Sequence, residues 1–88
     1  MYFTYILESL KDRKFYTGYT SNLRERFKEH NDGLANSTKS RRPFRLIYYE
    51  AYLNSWDAKR RERYFKTGMG KRDIKKRLKD YFQEKEKV

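Results

Sequence analysis

The sequence predicts a small α+β fold: a three-stranded antiparallel sheet flanked by helices, in the order β-β-α-β-α-α. Three observations lead there. Residues 2–8 and 15–20 are two β-branched and aromatic runs split by a short charged stretch. A third such run occupies residues 44–53. Apolar residues recur at helical spacing between and after these runs, which places helices against the apolar faces of the sheet.

The first two runs read as an antiparallel hairpin, with the polar segment 9–14 as its turn. Asn22 is placed to cap a helix that starts at Leu23, with Leu23 and Phe27 four residues apart on its buried side. Asn31-Asp32-Gly33 ends that helix, because glycine enters the left-handed C′ conformation without steric cost. Segment 34–43 contains Asn36-Ser37-Thr38-Lys39-Ser40-Arg41-Arg42 and reads as a basic surface loop. Residues 44–53 carry the strongest strand signal, with Pro43 at or just outside the first strand position. Ser55 is the expected N-cap of a helix running to about Lys66, with Asp57 in its first turn. Thr67-Gly68-Met69-Gly70 reads as a turn. A final helix is expected over residues 71–82, where Ile74, Leu78 and Phe82 recur every four positions. Residues 1–82 then form one domain, and 83–88 a charged, frayed tail.

The chain has 88 residues, the size of one domain. Only 36% are hydrophobic, and aromatics at 18% must supply much of the packing area. Lys and Arg total 23 against 12 acidic residues, a net charge of +11 whose field favours polyanions, above all nucleic acid. An anionic membrane surface is the competing partner. The cations occupy nearly every segment rather than one face of a single amphipathic helix, which weakens that alternative. With no cysteine, disulfide staples and thiolate zinc fingers are excluded. No run reaches the length of a membrane span, and the first residues lack the features of a secretion signal. A cytoplasmic location follows by default.

One acid stands out. Glu62 lies inside the stretch Lys59-Arg60-Arg61-Glu62-Arg63-Tyr64-Phe65-Lys66. A carboxylate where cations would serve better points to a metal beside phosphates; the bland alternative is an i,i+4 ion pair with Lys66 worth a few tenths of a kcal/mol. Upstream lie Tyr5, the run Phe15-Tyr16-Thr17-Gly18-Tyr19-Thr20, then Arg26 and, one turn later, His30. For the tyrosines the alternative is packing, common in a chain with nine of them. For Arg26 it is pairing with Glu25 or Glu29, and for His30 a polar helix end.

In order and spacing these residues resemble the GIY-YIG nucleases, particularly small members related to the N-terminal nuclease domain of the excision-repair subunit UvrC. The first family triplet corresponds to Thr4-Tyr5-Ile6 and the second to Tyr16-Thr17-Gly18. The helix signature corresponds to Gly18-Tyr19-Thr20-Ser21-Asn22-Leu23 followed by Arg26 and His30. The acidic signature corresponds to Ala58-Lys59-Arg60-Arg61-Glu62 with Lys66 following. The match spans the chain from Tyr2 to about Tyr81. One departure stands: many members carry an asparagine in the last helix that supports the site, and here none follows Asn54.

The resemblance implies a metal-dependent DNA endonuclease. It assigns Glu62 to one Mg²⁺ or Mn²⁺ ion, Tyr5 and Tyr16 to water activation, Arg26 to the phosphate, His30 to the phosphate or to moving a proton, and Tyr19 to an additional active-site position. A free phenol has a pKa of about 10, and nearby cations together with the metal are expected to lower it. Lys39, Arg41, Arg42, Lys71, Arg72, Lys75 and Lys76 are candidate contacts to the nucleic-acid backbone. DNA is the expected partner, with RNA left open, and a monomer is assumed. A noncatalytic nucleic-acid-binding module is the alternative.

Overall fold

A computed structural model describes residues 1–86. Its elements are β1 (Tyr2–Ser9), β2 (Phe15–Thr20), α1 (Leu23–Asp32), a short 3-10 turn (Lys39–Arg41), β3 (Phe44–Tyr52), α2 (Ser55–Phe65), α3 (Gly68–Arg77) and α4 (Lys79–Glu86). The sheet is antiparallel with spatial order β2-β1-β3, so the expected three-stranded α+β architecture holds. None of the described helices is long and apolar enough to cross a membrane.

The central strand β1 is buried from Thr4 through Ser9 because helices cover both of its faces. Strand alternation sends Tyr5 and Leu7 to one side, where they pack with Phe44 and with Leu23 and Phe27 of α1. Ile6 points the other way, onto Phe65 of α2 and Ile74 of α3. A register irregularity after Ile6 shifts the pairing with β3, from Ile6 opposite Tyr48 to Leu7 opposite Leu46.

Helix α1 has the expected ends. The Asn22 side chain accepts from the Glu25 backbone N–H, and Gly33 sits at φ 80°. Two other expectations need correction. Helix α2 is capped by Asn54, whose Oδ1 accepts from Trp56 N at 2.8 Å, while Ser55 is already helical. Asn54 has the extended backbone that an N-cap needs.

The single final helix is in fact two. Gly68-Met69-Gly70, read as a turn, forms the first turn of α3, because Thr67 Oγ1 accepts from Gly70 N at 3.1 Å and caps it. Gly70 suits this corner: a Cβ there would clash with the Tyr64 carbonyl and lie 2.6 Å from the Phe65 Cα. Helix α3 stops at Leu78, and α4 docks back onto the sheet. Tyr81 donates to the buried Glu8 at 2.7 Å, and Phe82 packs on Phe15 with ring centroids 5.7 Å apart. Helix α4 runs to Glu86, into the segment expected as a frayed tail; residues 87 and 88 of that tail lie outside the described residues.

Helix α2 is held over the sheet by a polar clamp. Glu50 on β3 accepts from Tyr48 and Tyr52, each at 2.7 Å, and from Arg61 Nε and Nη2 at 2.8 and 2.9 Å. The Arg61 guanidinium also lies 4.7 Å from both the Tyr64 and Phe65 ring centroids. Burial alone would raise the Glu50 pKa, but these donors outweigh it and hold the carboxyl down to about 2.

Candidate active site

Tyr5 lies at the centre of the cluster. It pairs with Gly18 across the β1–β2 ladder, and its ring passes over that glycine in the edge strand. A Cβ at position 18 would fall on the Tyr5 hydroxyl and ring, so glycine serves here as space. The Tyr5 hydroxyl meets His30 Nε2 at 2.8 Å, and His30 Nδ1 meets Thr38 Oγ1 at 2.7 Å. All three residues are buried, at 1%, 0% and 0% exposure. A chain with proton-bearing Nδ1 satisfies every partner. His30 donates to Thr38, Thr38 donates to the Ala35 carbonyl at 3.4 Å, and Tyr5 donates to His30 Nε2.

In this arrangement His30 offers no free ring nitrogen to a phosphate, since both are engaged inside the fold by Tyr5 and Thr38. Burial, with Arg26's charge adding to it, moves its pKa down to about 4, so the imidazole is neutral. The Tyr5 phenol is not lowered by nearby cations either. Desolvation wins over the Arg26 guanidinium and pushes it up to about 12.

Other groups converge on the same phenol from separate elements. Arg26 Nη1 on α1 holds Glu29 Oε1 at 3.1 Å, and that pair, with the Tyr5 hydroxyl nearby, raises the guanidinium pKa. The Arg26 side chain remains 35% exposed, so it can meet solvent or ligand. The Tyr16 ring lies 5.0 Å from His30 and 6.5 Å from Tyr5. Glu62 on α2 is close enough for its charge to act on the Tyr5 phenol. Helix α2 is set by the Thr4 hydroxyl donating to the Ala58 carbonyl, and Glu62 follows Ala58 by one turn on the same face. Tyr19 has its own neighbours. Strand alternation puts it on the other face from Tyr16, stacked on Tyr2 with Lys59 Nζ 5.2 Å from its ring centroid.

Glu62 does make the ion pair that the bland reading anticipated, with Lys66 Nζ at 3.1 Å. Its side chain is 23% exposed, and among the described residues its second oxygen accepts no protein hydrogen bond. No group of three or more His, Cys, Asp or Glu able to hold a metal occurs among the described residues. Within the neighbourhood of Tyr5, Glu62 is the carboxylate with an oxygen open to a divalent ion.

Of the seven candidate backbone contacts, Arg41, Lys71 and Lys75 line one cleft, while Lys39, Arg42, Arg72 and Lys76 lie outside it. Arg42 donates to the Lys39 carbonyl at 2.8 Å. Thr38 gave no signal in the sequence, being one hydroxyl in a polar loop. Its role appears only when the loop folds back onto α1.

Comparison with known proteins identifies the family. A family model described as the GIY-YIG catalytic domain matches residues 1–72. A UPF0213 protein of Clostridium perfringens is 45% identical over 67 residues, 75% of this chain and 71% of that protein. The UPF0213 protein YazA of Bacillus subtilis is 44% identical over 66 residues, 74% of this chain and 66% of that protein. The solution structure of a UPF0213 protein from Bacillus halodurans superposes with a TM-score of 0.53 at 37% identity, covering 84% of this chain and 82% of that one. This chain belongs to the GIY-YIG nuclease family.

Proposed function

We propose that the protein is a metal-dependent endonuclease hydrolysing phosphodiester bonds in DNA. One observation carries the reading: the buried Tyr5 phenol meets His30 Nε2 at 2.8 Å beside the Tyr16 ring, with Arg26 of α1 and Glu62 of α2 near enough for their charges to act on it. Packing alone does not require a buried phenol bonded to an imidazole to have a guanidinium and a carboxylate in its neighbourhood.

The chemistry follows from those groups. Hydrolysis forms a bond from water oxygen to phosphorus and breaks the bond to one ester oxygen, so a proton must leave the water and negative charge must be neutralised. Arg26, preoriented by Glu29, offers guanidinium donors to the non-bridging oxygens. Tyr5 accepts the water proton as its own proton passes to His30 Nε2 along the 2.8 Å hydrogen bond. The free site opposes that transfer, since burial first, and the Arg26 charge second, make His30 a weak base. A bound phosphate offsets the Arg26 charge and raises the basicity of His30, which links proton transfer to substrate binding. Tyr16 walls the pocket beside Tyr5 and His30. Glu62 would hold the divalent ion, which when bound would supply neutralisation of the charge that develops in the reaction. The small domain leaves little room for base readout, so weak sequence preference accompanies this reading, with selectivity for DNA structure or targeting by a partner.

The test is Mg²⁺-titrated cleavage of supercoiled plasmid and labelled branched oligonucleotides by wild type, Glu62→Gln and Tyr5→Phe, with DNA binding followed by fluorescence anisotropy. Each variant is expected to lose on the order of 10²-fold or more in rate while binding DNA within a few-fold of wild type. Undiminished cleavage by Glu62→Gln would overturn the metal assignment. Binding by wild type without cleavage of any substrate would favour the noncatalytic module.

A further inference from the structure

Away from Tyr5, the β1–β2 turn, the 3-10 turn and α3 enclose a cleft of about 380 Å³ lined by Arg13, Lys14, Phe15, Arg41, Lys71 and Lys75. Five of its six lining residues are cations and none is an acid. Among the described residues only Arg41 is neutralised, by Asp12 at 2.8 Å. Lys71 and Lys75 follow one another by one turn of α3, so both ammonium groups lie along the same wall. Arg13 and Lys14 face them from the hairpin turn, where Arg13 takes φ 62°, a conformation glycine or asparagine adopts at lower cost. Folding gains nothing from gathering four unpaired cations around one hollow, and their mutual repulsion opposes it. A polyanionic ligand reverses that balance.

The cleft adjoins a second hollow that borders the catalytic cluster at Tyr16. This hollow of about 210 Å³ shares Phe15 and Lys71 with the cleft and extends to Tyr16 and Lys66. Lys66 in turn holds Glu62. The lysines at positions 66, 71 and 75 therefore form a line of cations leading from the carboxylate into the cleft.

We infer that this cleft is a backbone subsite that holds the phosphates of the substrate nucleic-acid strand beyond the bond being cut. The inference rests on the nuclease reading and adds the path the strand takes. Arg13 and Lys14 enter as ligands that the sequence did not single out. The concave wall distinguishes a phosphodiester strand from a flat headgroup layer, which would leave converging side chains partly unused.

The experiment compares wild type with Arg13→Gln/Lys75→Gln, and with an equal-charge control on α1, Arg24→Gln/Lys28→Gln. Circular dichroism first confirms that all three are folded. Anisotropy then measures binding of short and long labelled DNA oligonucleotides in EDTA across a salt series. The cleft variant is expected to bind the long oligonucleotide roughly tenfold more weakly, with a salt slope reduced by roughly two, about one per lost phosphate contact. Binding of an oligonucleotide too short to span both sites stays at the wild-type value, as does the long-strand affinity of the control. In cleavage, KM for the long strand rises and kcat is unchanged. Equal losses in the cleft variant and the control would overturn the inference, as would wild-type affinity and slope in the cleft variant. So would cleft-dependent binding to phosphatidylserine vesicles that long DNA does not displace. The two readings fail separately: binding losses with no cleavage by wild type sink the nuclease but keep the cleft, and cleavage with no binding loss does the reverse.

Discussion

Lowering the pH from about 7 to about 4.5 will protonate His30 in the unfolded chain and leave it neutral in the folded one. The side chain is fully buried between Tyr5 and Thr38, and burial with the neighbouring Arg26 charge moves its pKa from 6.5 to about 4, only partly offset by Glu29. The unfolded chain therefore binds a proton below its ordinary value, while the folded protein does not until about 4. Stability is at its full value above that upper limit, falls as pH drops between the two, and levels off beneath the lower. At about 1.4 kcal/mol per pH unit the span is worth about 3 kcal/mol, a large share of the roughly 5–15 kcal/mol of an ordinary domain. Roughly 2 kcal/mol or slightly more of that span is lost by about pH 4.5, so with a urea slope near 1 kcal/mol per molar for a domain this small the midpoint should drop by about 2 M between the two pH values. Urea unfolding followed by circular dichroism measures this for wild type and His30→Gln. The variant starts less stable at neutral pH but should lose much less on acidification. Parallel losses in the two proteins would refute the assignment of a buried neutral imidazole.

A second acid limb belongs to Glu50, whose carboxyl is held down to about 2, so its contribution is present above the ordinary 4.5 and disappears as pH falls toward 2. Glu50→Gln should cost about 2–3 kcal/mol at neutral pH in thermal or urea unfolding, since Arg61 loses its charged partner in a half-buried site, and should flatten that limb. Gly18→Ala should destabilise by about 1–3 kcal/mol and reduce cleavage more than binding, because the new methyl displaces the Tyr5 ring from His30. Asn54→Ala should cost about 1 kcal/mol and Ser55→Ala less than half of that, and equal losses in chemical denaturation would contradict the capping geometry.

Much of the candidate cluster is legible in the sequence because its residues carry unusual chemistry for their positions. An isolated acid in a run of cations marked Glu62, and a single histidine one turn beyond Arg26 marked the face of α1 that meets Tyr5. The parts that were not legible depend on neighbours distant in the chain. Nothing in Thr38 itself announces a hydrogen bond to His30, and the reversal of the Tyr5 expectation came from burial outweighing a nearby cation. The last helix was misread for a similar reason. Gly68 and Gly70 look like helix breakers locally, yet Thr67 caps them and the close approach of α2 favours the missing side chain.

Alternation and turn chemistry act over a few residues, so sequence alone determined three strands, the α1 caps and a polyanion-seeking charge. Which cations share a cleft, which ring nitrogens are spent indoors and whether a phenol is neutral were decided only by tertiary packing. Those properties depend on desolvation and on Coulomb interactions between elements, and no local stretch of chain contains either.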